Sequence, residues 1–300
     1  MYHFISTFRQ FFIKLFYFFI NTNLFIALAA AALTIQTQLQ LSMAPQFHPY
    51  LLLIFFATLF DYNVHRLITV ITNKEALNSQ KHRWVKQHLY LFYLVVATSV
   101  IGFLCTIFYA DPKVLVTLAP ISLITLFYSV PVFKNKKSVF RLREIPCLKI
   151  FLISFVWSVS TIFLPIIQSA RTFTKATILV MLLERFLFVF AITIPIDIRD
   201  MQADTRQRLK TIPLLIGKKN SMIVANTALI LFLAVCVLHY NSVGLMWLNC
   251  AFSLSAVSTL FFMNNKRLQA TQYYHYGILD GTMLLQGLFV LAGFYFHLIL

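Results

Sequence analysis

Nine apolar runs of membrane-spanning length leave this chain one class of fold. A bilayer core about 30 Å thick takes about 20 apolar residues per helical span. The runs fall at 15–37, 49–72, 88–108, 113–131, 149–168, 176–196, 221–240, 243–263 and 276–299. Within a bilayer every backbone N–H and C=O needs a partner, which a helix supplies from its own segment. No strand alternation, no GxGxxG and no GxxxxGK[ST] interrupts the pattern, so a soluble nucleotide domain is absent from the reading. The expectation is an all-α polytopic membrane protein of about nine transmembrane helices, forming a single membrane-embedded domain over residues 1–300.

Charge gives the orientation. Only 11% of residues are charged, against roughly a quarter in soluble domains, which excludes a disordered chain, a secreted disulfide scaffold and a cytosolic enzyme. The 25 Lys and Arg outnumber 9 Asp and Glu, an imbalance that in a soluble protein would point to nucleic acid. Here the basic residues sit in short clusters between apolar runs, so they mark topology and no nucleic-acid partner is expected. Twenty of the 25 fall on one side of the span map, at the N-terminus and in the 2–3, 4–5, 6–7 and 8–9 loops. That side is read as cytoplasmic and the C-terminus as outside, in a cell inner membrane. The apolar run around Ala27-Leu28-Ala29 continues to Ile35, beyond a usual signal core, so the first helix is read as retained. Cys105, Cys147, Cys236 and Cys250 show no CxxC spacing and read as packing residues.

The few acids are where chemistry is sought. Glu75, Asp111 and Glu144 lie in or near loops and read as solvated, and Glu184 beside Arg185 reads as an intrahelical or interhelical pair. Asp197, Asp200 and Asp204 end the sixth span. At 100° per residue they share an arc of about 60° on one helical face, provided the helix continues. Like charges so placed repel, and a hard divalent cation with oxygen ligands is the natural counter-charge. Mg2+ commonly uses one or two carboxylates plus substrate phosphates, so the triplet suggests a diphosphate site. The alternative is a solvated acidic–basic loop paired with Arg199, Arg206, Arg208 and Lys210.

The run Asp197-Ile198-Arg199-Asp200-Met201-Gln202-Ala203-Asp204, followed by Leu209-Lys210-Thr211-Ile212-Pro213 and Ile216-Gly217, resembles the second aspartate-rich motif of the UbiA superfamily of membrane prenyltransferases. That motif reads DxRDxxxD, then a basic stretch, then K-T-[IL]-P and a Gly. Tyr128-Ser129-Val130-Pro131, with Lys134 beyond, supports the resemblance. It implies a helical bundle around a central cavity, with aspartate motifs holding Mg2+ and the diphosphate of an isoprenoid donor. Asp197, Asp200 and Asp204 are then the metal ligands and catalytic residues, with Arg199, Lys210, Tyr128, Lys134 and Lys149 contacting substrate. Lys81-His82-Arg83-Trp84 matches the position from which the family supplies basic residues to cover the site, Arg83 among them.

The family's first motif, NDxxDxxxD, is altered. Its place is taken by Phe60-Asp61-Tyr62-Asn63-Val64-His65-Arg66-Leu67-Ile68-Thr69-Val70-Ile71. Anchored on Asn63, the three carboxylate positions become Val64, Leu67 and Ile71. In one reading Asp61, Asn63, His65 and Arg66 face the cavity, and Arg66 neutralises diphosphate where the family uses a second metal, guanidinium being a forked donor to phosphate oxygens. In the other, the site is degenerate and Asp61 with His65 is a structural i,i+4 pair. Asp280, between Gly277 and Gly281, is a further cavity candidate, whereas Tyr273, Tyr274, His275 and Tyr276 read as an interfacial aromatic belt.

The implied activity is Mg2+-assisted prenyl transfer from an isoprenoid diphosphate to an aromatic, quinone-precursor-like or other lipophilic acceptor, with membrane lipid around it. A catalytically degenerate lipid-diphosphate-binding or structural membrane protein is the second reading. A cation-coupled transporter is the third, disfavoured because the triplet sits at a helix end and no repeat is apparent.

Overall fold

The predicted runs are helical over almost all of their described residues, except that the first is split between two helices and the sixth and seventh differ in extent from the hydropathy pattern. The computed structural model describes residues 2–72, 80–129, 133–135, 138–140, 142–169, 171–207 and 209–299. Lys74, Glu75, Val130, Pro131, Lys136, Lys137, Arg141 and Arg208 lie outside the described residues, as do the side chains of Arg9, Ser129, Lys134 and Arg143. In chain order the helices are α1 (Tyr2–Asn21), α2 (Leu24–Gln40), α3 (Pro49–Thr72), α4 (Gln80–Gln87), α5 (Leu89–Tyr109) and α6 (Pro112–Ser129). There follow α7 (Leu148–Gln168), α8 (Lys175–Arg206), α9 (Ile212–Ser242), α10 (Met246–Asn264), α11 (Lys266–Gln269) and α12 (Asp280–Ile299). Among the described residues seven helices are long and apolar enough to cross a bilayer, or eight if the bent α1–α2 pair is one span. The stretch Pro112–Tyr128 is a shorter apolar helix. The protein is an all-helical integral membrane protein.

The first predicted span, 15–37, is broken. Asn23 takes a left-handed φ of 61°, a conformation that asparagine tolerates better than most residues, and α1 and α2 meet at 76°. The sixth span instead runs on. Thr174 caps α8, its hydroxyl accepting from the Thr177 N–H at 3.1 Å, and the helix continues ten residues past the predicted end at 196, to Arg206. The seventh starts early at Ile212, with Pro213 in its first turn where the missing N–H costs nothing, and turns a corner at Gly217 (φ 79°, ψ 163°). Within this all-α fold a short antiparallel hairpin, β1 (Phe133–Asn135) and β2 (Ser138–Phe140), lies between α6 and α7, pairing Lys134 with Val139.

The chain forms two compact units, residues Met1–Ala31 with Phe47–Ala110, and Ala32–Gln46 with Asp111–Leu300. In the first, α3 packs on α5, and Gly102 permits the approach: a Cβ there would lie 2.5 Å from the Phe56 ring. Phe60 stacks on Phe103 with centroids 6.3 Å apart. Buried Asn63 ties α3 to the α1–α2 corner, its Oδ1 accepting from Asn23 Nδ2 at 2.9 Å. Its Nδ2 donates to the Thr22 and Leu59 carbonyls at 3.0 and 2.7 Å.

In the second unit α8 is the central element, packed by α7 and α9. An aromatic series runs through Phe188, Phe232, Phe252 and Tyr240, with successive centroids 5.2, 5.8 and 5.3 Å apart. Glu184 and Arg185 do not pair with each other among the described residues, because adjacent helical positions do not face one another. Arg185 donates to the Leu33 carbonyl, Thr161, Thr37 and Gln40. Glu184 meets His239, Tyr240 and Gln40. The polar residues of this otherwise apolar layer therefore hold α2, α7, α8 and α9 together.

Candidate functional site

The condition attached to the aspartate triplet is met, since α8 is helical through Arg206 and carries all three carboxylates. Asp197 and Asp204 are buried, and Asp200 is half-buried. Pro195, two residues before Asp197, lacks the N–H that would bond the Ala191 carbonyl.

Asp197 and Asp204 converge on a single cation. Lys149 Nζ stands 2.8 Å from Asp197 Oδ1 and 3.3 Å from Asp204 Oδ2. The lysine owes its position to the turn before α7. There Cys147 has a left-handed φ of 60° and donates its N–H to the Lys210 carbonyl at 2.8 Å, pinning the start of α7 to the loop after α8. The Leu209 N–H closes that loop onto the Asp204 carbonyl at 2.9 Å. Asp200 is held separately. Its neighbour Arg199 grips both oxygens, Nε to Oδ1 at 2.7 Å and Nη2 to Oδ2 at 2.9 Å. The same guanidinium lies 4.4 Å from the centroid of the Tyr276 ring, within cation–π range.

Whether these residues suit a hard divalent ion can be judged from the oxygens. Both carboxylate oxygens of Asp197 are buried, and neither accepts a hydrogen bond among the described residues, although Oδ1 is ion-paired with Lys149. Two buried carboxylates already aimed at one cation fit a metal ion that takes one or two carboxylates and completes its shell with phosphate oxygens and water. They do not form a closed cage: no group of three metal-ligating side chains occurs among the described residues.

The second unit thus assembles Asp197, Asp200, Asp204, Lys149 and Arg199. Tyr128, on the last turn of α6, is within electrostatic range of Lys149, and Asp280 at the start of α12 is within range of Arg199. Lys210 is exposed and contributes its backbone carbonyl rather than its ammonium. Asp61, Asn63, His65, Arg66 and Arg83 belong to the first unit. There Asn63 and Arg66 are buried on α3, Asp61 and His65 are half-buried beside them, and Arg83 is exposed on α4.

His275 and Tyr276 are site neighbours that the sequence reading missed. The aromatic segment forms a π-helical turn, Tyr274–Leu279, leading into α12. Tyr274 is buried, with its hydroxyl donating to the Phe262 carbonyl at 3.2 Å. Such wide turns cluster at functional sites. The available signal was the company of Asp280 and two glycines, which an interfacial belt does not require.

A sequence profile of the UbiA prenyltransferase family matches residues 85–274, well over half of the chain. The chain belongs to this family. The matched region contains the intact aspartate motif of this UbiA protein and begins beyond the altered segment at 61–71. A search of curated protein sequences finds no match. Among solved structures, a UbiA homolog from Archaeoglobus fulgidus bound to DMAPP and Mg2+ is similar at 13% identity and a TM-score of 0.60, covering 90% of this chain and 95% of that one. The apo UbiA homolog from Aeropyrum pernix K1 is similar at 13% identity and a TM-score of 0.60, over 91% and 98% of the two chains. A digeranylgeranylglyceryl phosphate synthase structure follows at 14% identity and a TM-score of 0.54, over 91% and 98%. The UbiA fold is therefore shared along nearly the whole length.

Proposed function

We propose that this protein transfers a prenyl group from an isoprenoid diphosphate to an aromatic, quinone-precursor-like or other lipophilic acceptor within the membrane. The observation that carries the reading is the convergence of Asp197 and Asp204 on one cation at the end of α8, in a chain of the UbiA family. Relatives bound to DMAPP or GPP with Mg2+ support the same donor class.

Asp197 and Asp204, with Asp200 beside them, would hold Mg2+, which when bound supplies charge neutralisation to the donor's diphosphate. Lys149 and Arg199 add donors beside the same phosphate oxygens, Arg199 kept in place by the Tyr276 ring. Across the reaction the allylic C–O bond breaks with its electron pair leaving on pyrophosphate. The carbocation is captured by the electron-rich acceptor, which gives up a proton as its aromaticity is restored. Charge stabilisation on the leaving group, positioning, and exclusion of water from the cation are what the protein contributes. On α3, Arg66 fits the role of a fixed positive charge for the diphosphate where the family has carboxylates and metal. The basic loops are proposed to face the cytoplasm, with the chain in a cell inner membrane.

The second reading is a lipid-diphosphate-binding protein without transferase chemistry, favoured by Val64, Leu67 and Ile71 at the first-motif carboxylate positions. Purified protein assayed for pyrophosphate release from farnesyl and longer prenyl diphosphates, with and without Mg2+ and across a panel of aromatic acceptors, separates the two. Release with a prenylated product supports transfer. Donor binding without release across the panel supports the second reading and overturns the first.

A further inference from the structure

The triplet's charges are already balanced from within the chain, and that balance is unusual for a site expected to take a divalent ion. Lys149 reaches Asp197 and Asp204 together, and Arg199 forks onto Asp200. Each of the three carboxylates thus has a protein cation. The lysine is not a loose surface group: its side chain is 15% exposed, and Asp197 against it is 1% exposed. The Cys147–Lys210 backbone hydrogen bond fixes the turn from which it projects. On α3 the corresponding family carboxylates are Val64, Leu67 and Ile71, with the cation Arg66 among them. Positions that could draw in metal are apolar in the first motif and neutralised in the second.

We infer that Lys149 is a built-in cation that closes the Asp197–Asp204 pair to divalent metal in the donor-free protein, so that metal enters only together with a prenyl diphosphate. This rests on the prenyl-diphosphate reading above. A dication placed between Asp197 and Asp204 while Lys149 stays there meets a like charge a few ångströms away, in a buried site where screening is weak. A diphosphate brings negative charge of its own and offers Lys149 a second partner, so the ammonium can move to the phosphate and vacate the convergence point. Metal and donor then raise each other's affinity by the same factor, as linkage requires.

The test measures Mn2+ binding by electron paramagnetic resonance on full-length protein in detergent, with no turnover involved. It is run with and without farnesyl thiolodiphosphate, a donor whose C–S bond resists ionisation. Wild type is expected to bind Mn2+ at least about tenfold more tightly with the thiolodiphosphate than without it, within the usual range of coupling between sites. Lys149→Met is expected to bind Mn2+ without donor at least tenfold more tightly than wild type, and to lose most of the coupling. Lys149→Arg, which keeps the charge, is expected to behave like wild type, and melting curves check that each variant is folded. Donor-free wild type binding Mn2+ as tightly as Lys149→Met overturns the inference. Equal Mn2+ binding by wild type with and without the thiolodiphosphate, when the thiolodiphosphate itself is shown to bind, overturns it as well, from a measurement that needs no variant. Failure of the thiolodiphosphate to bind any of the proteins overturns the prenyl-diphosphate reading instead, while the donor-free comparison still decides the role of Lys149.

Discussion

Arg185→Met removes a buried guanidinium from the helix junction of the second unit, and its cost can be worked from four hydrogen bonds. Arg185 donates to the Leu33 carbonyl at 3.0 Å, Thr161 Oγ1 at 2.8 Å, Thr37 Oγ1 at 3.2 Å and Gln40 Oε1 at 3.2 Å. Hydrogen bonds between membrane helices average about 0.6 kcal/mol and reach about 1.7, and charge-assisted ones are roughly twice as strong as neutral ones. Four at the average give about 2.5 kcal/mol, and the ionic character raises that to about 5. Methionine recovers part of this, because a guanidinium no longer has to be desolvated. The expected loss is about 3 kcal/mol, read by reversible unfolding of the purified protein in mixed micelles on titration with SDS. Thr161→Val should cost about 1 kcal/mol alone and little more on top of Arg185→Met, since both changes break the same bond. Donor affinity should change less than about twofold, since Arg185 lies twelve residues, or about 18 Å along α8, from Asp197. A loss below about 1 kcal/mol would refute the idea that this junction holds α2, α7 and α8 together. A large loss of donor affinity in a folded variant would refute its separateness from the site.

Asn63→Ala leaves Asn23 and the Thr22 carbonyl without their partner at the α1–α2 corner and should destabilise by about 1–3 kcal/mol in the same titration; unchanged stability would remove Asn63 from that corner. Gly217→Ala places a side chain at φ 79° and ψ 163° with nothing within 4 Å of the new Cβ, so its cost of about 1–3 kcal/mol is purely backbone. Faster amide exchange confined to 209–217 would report it, and wild-type exchange would contradict it. Tyr276→Leu removes the ring that holds Arg199 and should weaken farnesyl thiolodiphosphate binding by roughly 2- to 30-fold, the equivalent of a cation–π contact of about 0.5–2 kcal/mol. Tyr276→Phe should stay within about twofold; a phenylalanine variant as weak as leucine would assign the effect to the hydroxyl.

The spans were legible because a bilayer imposes one length and one composition on any helix that crosses it. Their ends were less so. The break at Thr22–Asn23 was written in the polar run Asn21-Thr22-Asn23, which hydropathy averaging over a window erases. The continuation of α8 to Arg206 passes through charged residues that the same averaging assigns to a loop, although the aspartate spacing requires a helix there. The aspartates themselves were legible because 3, 4 and 7 residues are helical neighbours at any depth. Lys149 was legible only as a basic residue near the site: its place between Asp197 and Asp204 depends on a left-handed turn at Cys147, and no local preference of cysteine announces one. The contact of Tyr276 with Arg199 was not legible because tyrosines before an apolar run look the same whether they face headgroups or an arginine. Adjacent Glu184 and Arg185 were read as a pair, yet neighbouring helical positions point about 100° apart, and the two are linked through Gln40, which donates to Glu184 and accepts from Arg185.

The claim on which the account turns is that the carboxylates at the end of α8 act on an isoprenoid diphosphate. Pyrophosphate release from farnesyl diphosphate in the presence of Mg2+ and an aromatic acceptor, compared between wild type, Asp197→Asn and Asp204→Asn, tests it most directly. The account predicts Mg2+-dependent release by wild type and a loss of at least about a hundredfold in each variant, the scale on which electrostatic stabilisation of a leaving group acts, with the variants still folded. Release that persists in Asp197→Asn and Asp204→Asn, or that is the same without Mg2+, would contradict it.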